Sequence, residues 1–272
     1  MAAFSDIDTI LLIGGGNMGA AMARGWLAGG LDAARLTVCD PKPGAALQPL
    51  LDAGVRHVAG APAGRVDALV IAVKPQVMEA VLPGLAPVLD SSSVVISVAA
   101  GKPVAFMERL LGPHAIVRAM PNTPAMIGRG VTGAFANPRV GARQRAVADT
   151  LLAATGGVEW VPEERQIDWV TGLSGSGPAY VFLMAEALAQ AGEKLGLDPQ
   201  LAMRLARQTV AGAGELMIRS QDSPDTLRRN VTSPNGTTAA ALEVLMADDG
   251  LSALMAKAVA AAADRATELS KD

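Results

Sequence analysis

The residues best suited to chemistry in this chain are glycines, serines and threonines placed where helices begin. Gly14-Gly15-Gly16-Asn17-Met18-Gly19 has the G-x-G-x-x-G spacing, with Ile13 ending the β-branched and leucine run Thr9–Ile13 just before it and an alanine-rich helical pattern just after. Strand, glycine turn and helix in that order cradle the pyrophosphate of a dinucleotide. Gly14 permits the tight turn, Gly16 lets the phosphates approach the backbone, and Gly19 lets the helix lie close to the strand. Asp40 closes the next strand, Leu36–Cys39. A carboxylate there accepts bonds from the adenosine ribose and repels a 2′-phosphate, which favours NADH. Lys42, two residues on, is placed to answer a phosphate, so NADPH or NADH remains open. A glycine turn with no nucleotide is the competing reading, and the strand–turn–helix context weighs against it.

Two further strands end in short stiff turns, Ala72-Val73-Lys74-Pro75 and Met120-Pro121-Asn122-Thr123-Pro124. Strand ends of this kind line the cofactor in a parallel sheet, which makes Lys74 and Asn122 candidate contacts; a surface lysine and an asparagine bonding its own backbone are the plainer alternatives. In the second half, Thr171–Tyr180 (TGLSGSGPAY) reads as a flexible loop, with Ser174, Gly175, Ser176 and Gly177 at its centre and Pro178 opening a long helix. Free N–H groups at such a helix start suit a carboxylate or phosphate. Val231–Thr238 (VTSPNGTT) is a second loop-to-helix junction of the same chemistry. Ordinary helix caps are the alternative for both. His57 and His114 are the only histidines and lie outside these turns, and the second half has no histidine or cysteine. The proton donor that ketone reduction normally needs is therefore missing from the expected site.

The elements that position these residues follow from periodicity. Strands are expected at Thr9–Ile13, Leu36–Cys39, Ala68–Val73, Val94–Val98, Ala115–Ala119, Val131–Ala136 and Val158–Val161, with helices between them at Gly44–Leu51, Gln76–Leu85, Pro103–Leu111 and Arg139–Thr155. That alternation predicts a parallel, doubly wound α/β sheet. After Pro162 the texture becomes all-helical: Pro178–Gly196, Pro199–Ser220, Pro224–Val231, Thr237–Asp249 and Leu251–Ser270. Two domains are thus expected, residues 1–162 and 163–272. The helices of the second are apolar on most sides, more than about 110 residues can bury alone, which points to cover by another subunit over a self-contained bundle.

Composition excludes several classes. A net charge of −3 over 272 residues gives no electrostatic reason to expect nucleic acid or an anionic membrane. Cys39 is the only cysteine, so an intrachain disulfide and a cysteine metal cluster are out, and no metal is expected. No apolar run is long enough to span a bilayer, the N-terminus carries Asp6 and Asp8 where a signal peptide would be basic, and the cytoplasm is the expected location.

In IGGGNMG (13–19), AVKPQ (72–76), SVAAG (97–101), RAMPNTPA (118–125), TGLSGSGPAY (171–180) and VTSPNGTT (231–238), the chain resembles pyrroline-5-carboxylate reductase over essentially its whole length. The resemblance implies a Rossmann domain followed by a helical dimerisation domain, dimers that often assemble into decamers, and NAD(P)H-dependent reduction of 1-pyrroline-5-carboxylate to L-proline. It adds Ala100 to the cofactor contacts. It places the substrate on Gly236, Thr237 and Thr238 with Ser174–Gly177 nearby, gives the catalytic role to Thr238, whose hydroxyl also meets the ring nitrogen, and makes Glu164 a lesser member of the pocket. The substrate is a cyclic imine, so positioning can replace the missing histidine. Two residues depart from the family pattern: Asn235 stands for a glycine, as the residue that best tolerates positive φ, and Asp40 stands where relatives carry a neutral or hydroxyl residue.

Two rival functions are tested by absences. A β-hydroxyacid dehydrogenase shares this plan but needs a lysine at Val181 and an asparagine at Ala185. A dinucleotide sensor without turnover would not need the second anion-binding junction.

Overall fold

The sheet begins with four-residue strands that have no polar face. In the computed structural model, which describes residues 4–271, β1 (Ile10–Ile13) and β4 (Ala68–Ile71) are buried at every position. Strands buried on both faces require helices above and below, and the side chains divide accordingly. Ile10 and Leu12 pack with Met22 and Trp26 of α1 (Asn17–Ala28) and Leu151 of α5 (Ala142–Ala153), whereas Leu11 and Ile13 pack with Met107 and Leu111 of α4 (Val104–Leu111). Between these lie the short helices α2 (Gln48–Asp52) and α3 (Met78–Val81).

The remaining strands are β2 (Leu36–Cys39), β3 (Arg56–Val58), β5 (Val94–Ser97), β6 (Ala115–Met120), β7 (Gly130–Ala136) and β8 (Gly156–Trp160). They form an eight-stranded sheet in the order β3-β2-β1-β4-β5-β6-β7-β8, parallel throughout except where β7 runs antiparallel to β6. The doubly wound α/β sheet read from the sequence is therefore present. Strand β3 was not anticipated. It is three residues long and carries Arg56 and His57 at the sheet edge, where a hydrophobic run is neither required nor safe. Helix α2 starts four residues later than the expected 44–51 and keeps only one turn.

At the opposite end of the strands from the glycine turn, buried Asp67 ties the sheet together. Its carboxylate accepts the N–H groups of Asp8 and Thr9 at 2.9 and 3.0 Å and pairs with Arg65 and Arg143 at 2.9 and 3.3 Å. Burial pushes this carboxyl up, but the two N–H groups and the two cations outweigh it and hold it below the usual carboxylate range. A depressed carboxylate stabilises the fold above its unfolded value of 3.8 and loses that contribution as pH falls through the folded value. The melting temperature is thus expected to fall as pH drops below about 5. Asp67→Asn should flatten that slope while costing about 1–3 kcal/mol at neutral pH. Thermal melts of both proteins from pH 7 to pH 3 measure it.

The chain divides into two compact units, one reaching Gly175 and resuming at Ala262, the other Ser176–Ala261. The expected 162/163 boundary falls before α6 (Gln166–Val170) and the π-helical turn Thr171–Gly175. Both pack within the first unit. A Cβ on Gly133 of β7 would stand 2.6 Å from Val170, and one on Gly175 2.7 Å from Met120 of β6. The second unit holds α7 (Gly177–Lys194), α8 (Pro199–Arg219), α9 (Pro224–Asn230), α10 (Thr237–Leu245) and the start of α11 (Leu251–Leu269). Asp198 caps α8 through Leu201 N–H at 2.9 Å, and α7 meets α8 through Ala189, Ala202 and Ala206. Phe182 and Leu183 of α7 remain 62% and 64% exposed, with Leu205, Ile218 and Val244 also uncovered in the single chain. None of the described helices is long and apolar enough to cross a membrane.

Candidate active site

The glycine turn is shaped by what surrounds each residue. Gly14 has φ +97°, a conformation glycine adopts without cost, and a Cβ there would come within 2.8 Å of the Ala72 carbonyl. Gly19 lies so close to the Gly14 carbonyl that no side chain fits, which seats α1 against β1. Gly15 is backed by Leu47. Gly16 is different: it is exposed, and a Cβ would meet nothing within 4 Å. Above it open the first N–H groups of α1, at Asn17, Met18 and Gly19, and no acidic residue stands in that first turn to neutralise them. Space, donors and positive potential coincide over Gly16, the requirements of a diphosphate cradle.

Asp40 stands beside this turn. Its two carboxylate oxygens accept the N–H groups of Gly15 at 2.8 Å and Lys42 at 2.9 Å. Each oxygen retains a second lone pair for a ribose hydroxyl. His57 lies 2.7 Å through Nε2 from the Asp40 carbonyl, an acceptor only, so Nε2–H donates and the ring is a backbone support. Burial, then the Asp40 charge, pushes the Cys39 thiol up, so it stays protonated and unreactive. Ala72 continues β4 by donating to the Ile13 carbonyl at 2.8 Å, and exposed Lys74 precedes Pro75 at the same strand end. Ala100 is exposed in the turn that leaves β5. Asn122 is nearly buried, and its side-chain carbonyl accepts the Val131 N–H at 3.0 Å, bracing the loop after β6 against β7.

The Thr171–Gly177 stretch departs from its expected loop. Thr171–Gly175 forms a π-helical turn in which the Thr171 and Ser174 hydroxyls bond the carbonyls of Ile167 and Val170 at 2.8 and 3.1 Å. Ser176 is also right-handed helical, with α7 following from Gly177. The glycines and serines that suggested a bend instead relieve crowding in a wide helical turn; π-turns recur at functional sites. Glu164 is a lesser member of the substrate pocket by the resemblance. Its Oε1 accepts the Val104 N–H at 2.7 Å and lies 3.5 Å from Arg118 of β6, so it caps α4.

In the second unit, the Val231–Thr238 junction has the form read from its residues. Asn235 is the one non-glycine residue with positive φ among those described, at 57°. This turn delivers the chain to α10, whose first N–H groups belong to Thr237, Thr238 and Ala239. The Thr232 hydroxyl is spent on the Arg228 carbonyl at 2.7 Å, whereas the Thr238 hydroxyl has no partner among the described residues. No cluster of His, Cys, Asp or Glu able to hold a metal is found among the described residues.

Sequence reasoning missed Arg118 and Asp168. The signal was a lone arginine in the apolar run Ala115–Ala119, which must find carboxylates once the strand is buried. It finds Asp168 of α6 at 2.6 Å as well as Glu164.

Comparison with known proteins agrees with this architecture. Residues 164–269 match the family model described as pyrroline-5-carboxylate reductase dimerisation, and residues 9–101 match NADP oxidoreductase coenzyme F420-dependent. The chain is 43% identical over 270 residues to a pyrroline-5-carboxylate reductase of Pseudomonas aeruginosa, covering 96% of this chain and 97% of that one. A solved pyrroline-5-carboxylate reductase from Coxiella burnetii superposes with a TM-score of 0.92 at 40% identity, over 98% of this chain and 100% of the other. The Plasmodium falciparum pyrroline carboxylate reductase, solved with NADP bound, gives 0.81 at 29% identity, over 97% and 98%. With 43% identity across almost the whole of both chains, the chain belongs to the pyrroline-5-carboxylate reductase family.

Proposed function

We propose that this protein reduces 1-pyrroline-5-carboxylate to L-proline with NADPH or NADH. The observation that carries the reading is a diphosphate cradle at Gly16 and a donor-rich start to α10 at Thr237–Ala239, both in a chain related to reductases over its full length. When bound, the dihydronicotinamide supplies the hydride. The residues of the chain do the rest. The first turn of α1 holds the diphosphate, with Ile13–Gly19 as its floor, and Asp40 receives the adenosine ribose. Ala72–Pro75, Ala100 and Asn122 line the path toward the nicotinamide. Gly236, Thr237 and Thr238 hold the substrate carboxylate, the Thr238 hydroxyl steadies the ring nitrogen, and Ser174–Gly177 are further substrate contacts. The iminium carbon already accepts hydride, so binding and orientation carry the catalysis. Incubation with pyrroline-5-carboxylate and either dinucleotide, followed at the dihydronicotinamide absorbance, should show stoichiometric consumption and proline formation; no consumption with either one overturns the reading.

Two properties accompany it. Asp40 should bias the enzyme toward NADH. Two like charges about 4 Å apart repel by about 1 kcal/mol even in water, so Asp40→Ser should raise the NADPH:NADH ratio of kcat/KM by at least about fivefold. An unchanged ratio in steady-state assays would remove Asp40 from the ribose site. The uncovered faces of α7, α8 and α10 fit a homodimer, and five such dimers make the decamer that the resemblance implies. Light scattering at micromolar concentration should report at least twice the 27.7 kDa chain mass, and a stable monomer would contradict the assignment.

A further inference from the structure

Arg118 is 3% exposed and is the centre of a polar network inside the first unit. Its guanidinium forks between two carboxylates, Asp168 at 2.6 Å and Glu164 at 3.5 Å. Neither carboxylate stops there. Glu164 accepts the first N–H of α4 at 2.7 Å. The N-cap residue of that helix, Pro103, has no side-chain acceptor, so a residue 60 positions away supplies the cap. Asp168 uses its other oxygen to accept the Thr267 hydroxyl at 3.3 Å, near the end of α11. The same end of α11 rests on the turn after β5, where a Cβ on Gly101 would stand 3.0 Å from Leu269 and the φ of +71° favours glycine.

The network therefore grips the Val98–Gly101 turn from both sides. Glu164 fixes the helix that the turn leads into, and the Thr267–Asp168 bond fixes the helix end that covers it. Arg118 pairs across the sheet with Ser97, the last residue of β5, and stands four residues before Asn122. Ala100 and Asn122, placed above on the nicotinamide path, thus lie on the two chain segments that leave β5 and β6 beside this arginine.

We infer that Glu164, Arg118 and Asp168 are positioning residues for the reduction, and that Glu164 acts through the Val104 N–H and not by touching substrate. This rests on the cofactor path proposed above. Glu164 was the group expected in the substrate pocket, and the two roles separate cleanly. A positioning cap needs only an acceptor oxygen, which glutamine keeps; a charge in the pocket needs the carboxylate.

The test compares Glu164→Gln with Glu164→Ala by thermal melting, by dinucleotide Kd from fluorescence titration, and by KM and kcat for pyrroline-5-carboxylate. Glu164→Ala should raise the dinucleotide Kd about tenfold and leave KM for pyrroline-5-carboxylate within about twofold, while Glu164→Gln stays within about threefold of the parent in both. A selective rise in KM for pyrroline-5-carboxylate in both variants, with dinucleotide Kd unchanged, would make Glu164 a substrate contact and overturn the inference. A lower melting temperature with all binding and kinetic constants intact would make the network purely structural and overturn it equally. Should Glu164→Ala not fold, Thr267→Val removes only the hydroxyl bond to Asp168 and should raise the dinucleotide Kd about threefold; no rise overturns the inference. The dinucleotide Kd decides these outcomes even if the parent protein fails to reduce pyrroline-5-carboxylate, a result that would refute the proposed function alone.

Discussion

Gly16→Val is expected to weaken NADPH and NADH binding at least about a hundredfold, a loss of about 3 kcal/mol, in a protein that still folds. Gly16 has φ −67° and ψ −173°, extended backbone open to any residue, and a Cβ there meets nothing. Valine therefore fits the fold and fills only the space over the first turn of α1. As a poorer helix cap than glycine it costs at most about 1 kcal/mol, a few degrees in melting temperature. Gly19→Val is the contrasting control. Its Cβ would fall against the Gly14 carbonyl, a rigid backbone atom, so α1 must leave β1 and the first unit loses its packing. Isothermal titration with each dinucleotide, beside thermal melts, distinguishes the two glycines. Unchanged affinity in folded Gly16→Val would move the cofactor elsewhere.

Thr238→Ala is expected to lower kcat/KM for pyrroline-5-carboxylate about tenfold to a thousandfold, the range of a hydrogen bond lost from the transition state. The unspent Thr238 hydroxyl beside the first N–H groups of α10 is the basis. Dinucleotide affinity should stay as it was, because the cradle belongs to other residues. His57→Ala and His114→Ala should remain active where they fold: His57 supports the Asp40 carbonyl, and the His114 carbonyl accepts from Asn137 at 3.0 Å, away from the proposed site. Near-normal turnover in Thr238→Ala, or collapse in a folded histidine variant, would put the chemistry on different residues.

What was legible in the sequence follows from where local chemistry decides structure. Runs such as Ala68–Ile71 admit little but a buried strand, and a glycine turn between strand and helix declares itself by spacing. Asn235 was readable as a positive-φ residue through the resemblance, which puts a glycine there, because asparagine is the substitute that best tolerates that conformation. Edge strand β3 was not, since Arg56 and His57 carry no hydrophobic signal and pairing with β2 alone makes them a strand. The π-helical turn at Thr171–Gly175 was read as a bend because glycine and serine signal loops, whereas packing of Gly175 on Met120 and of Val170 on Gly133 joins the Thr171 and Ser174 hydroxyl bonds in the helical turn. Glu164 belonged to a pocket by resemblance, while its partner Val104 lies 60 residues away and no local pattern links the two.

The first unit includes residues from both ends of the sequence, and this governs the order in which it can be made. Asp168 leaves the ribosome 99 residues before Thr267. At roughly 5–20 residues per second, that interval lasts roughly 5–20 s. Throughout it the sheet can assemble, yet the Val98–Gly101 turn lacks the helix end that covers it. The nascent chain must therefore hold an open, uncovered turn while the whole helical unit is synthesised, and the dinucleotide unit is completed only once Thr267 and Leu269 have emerged.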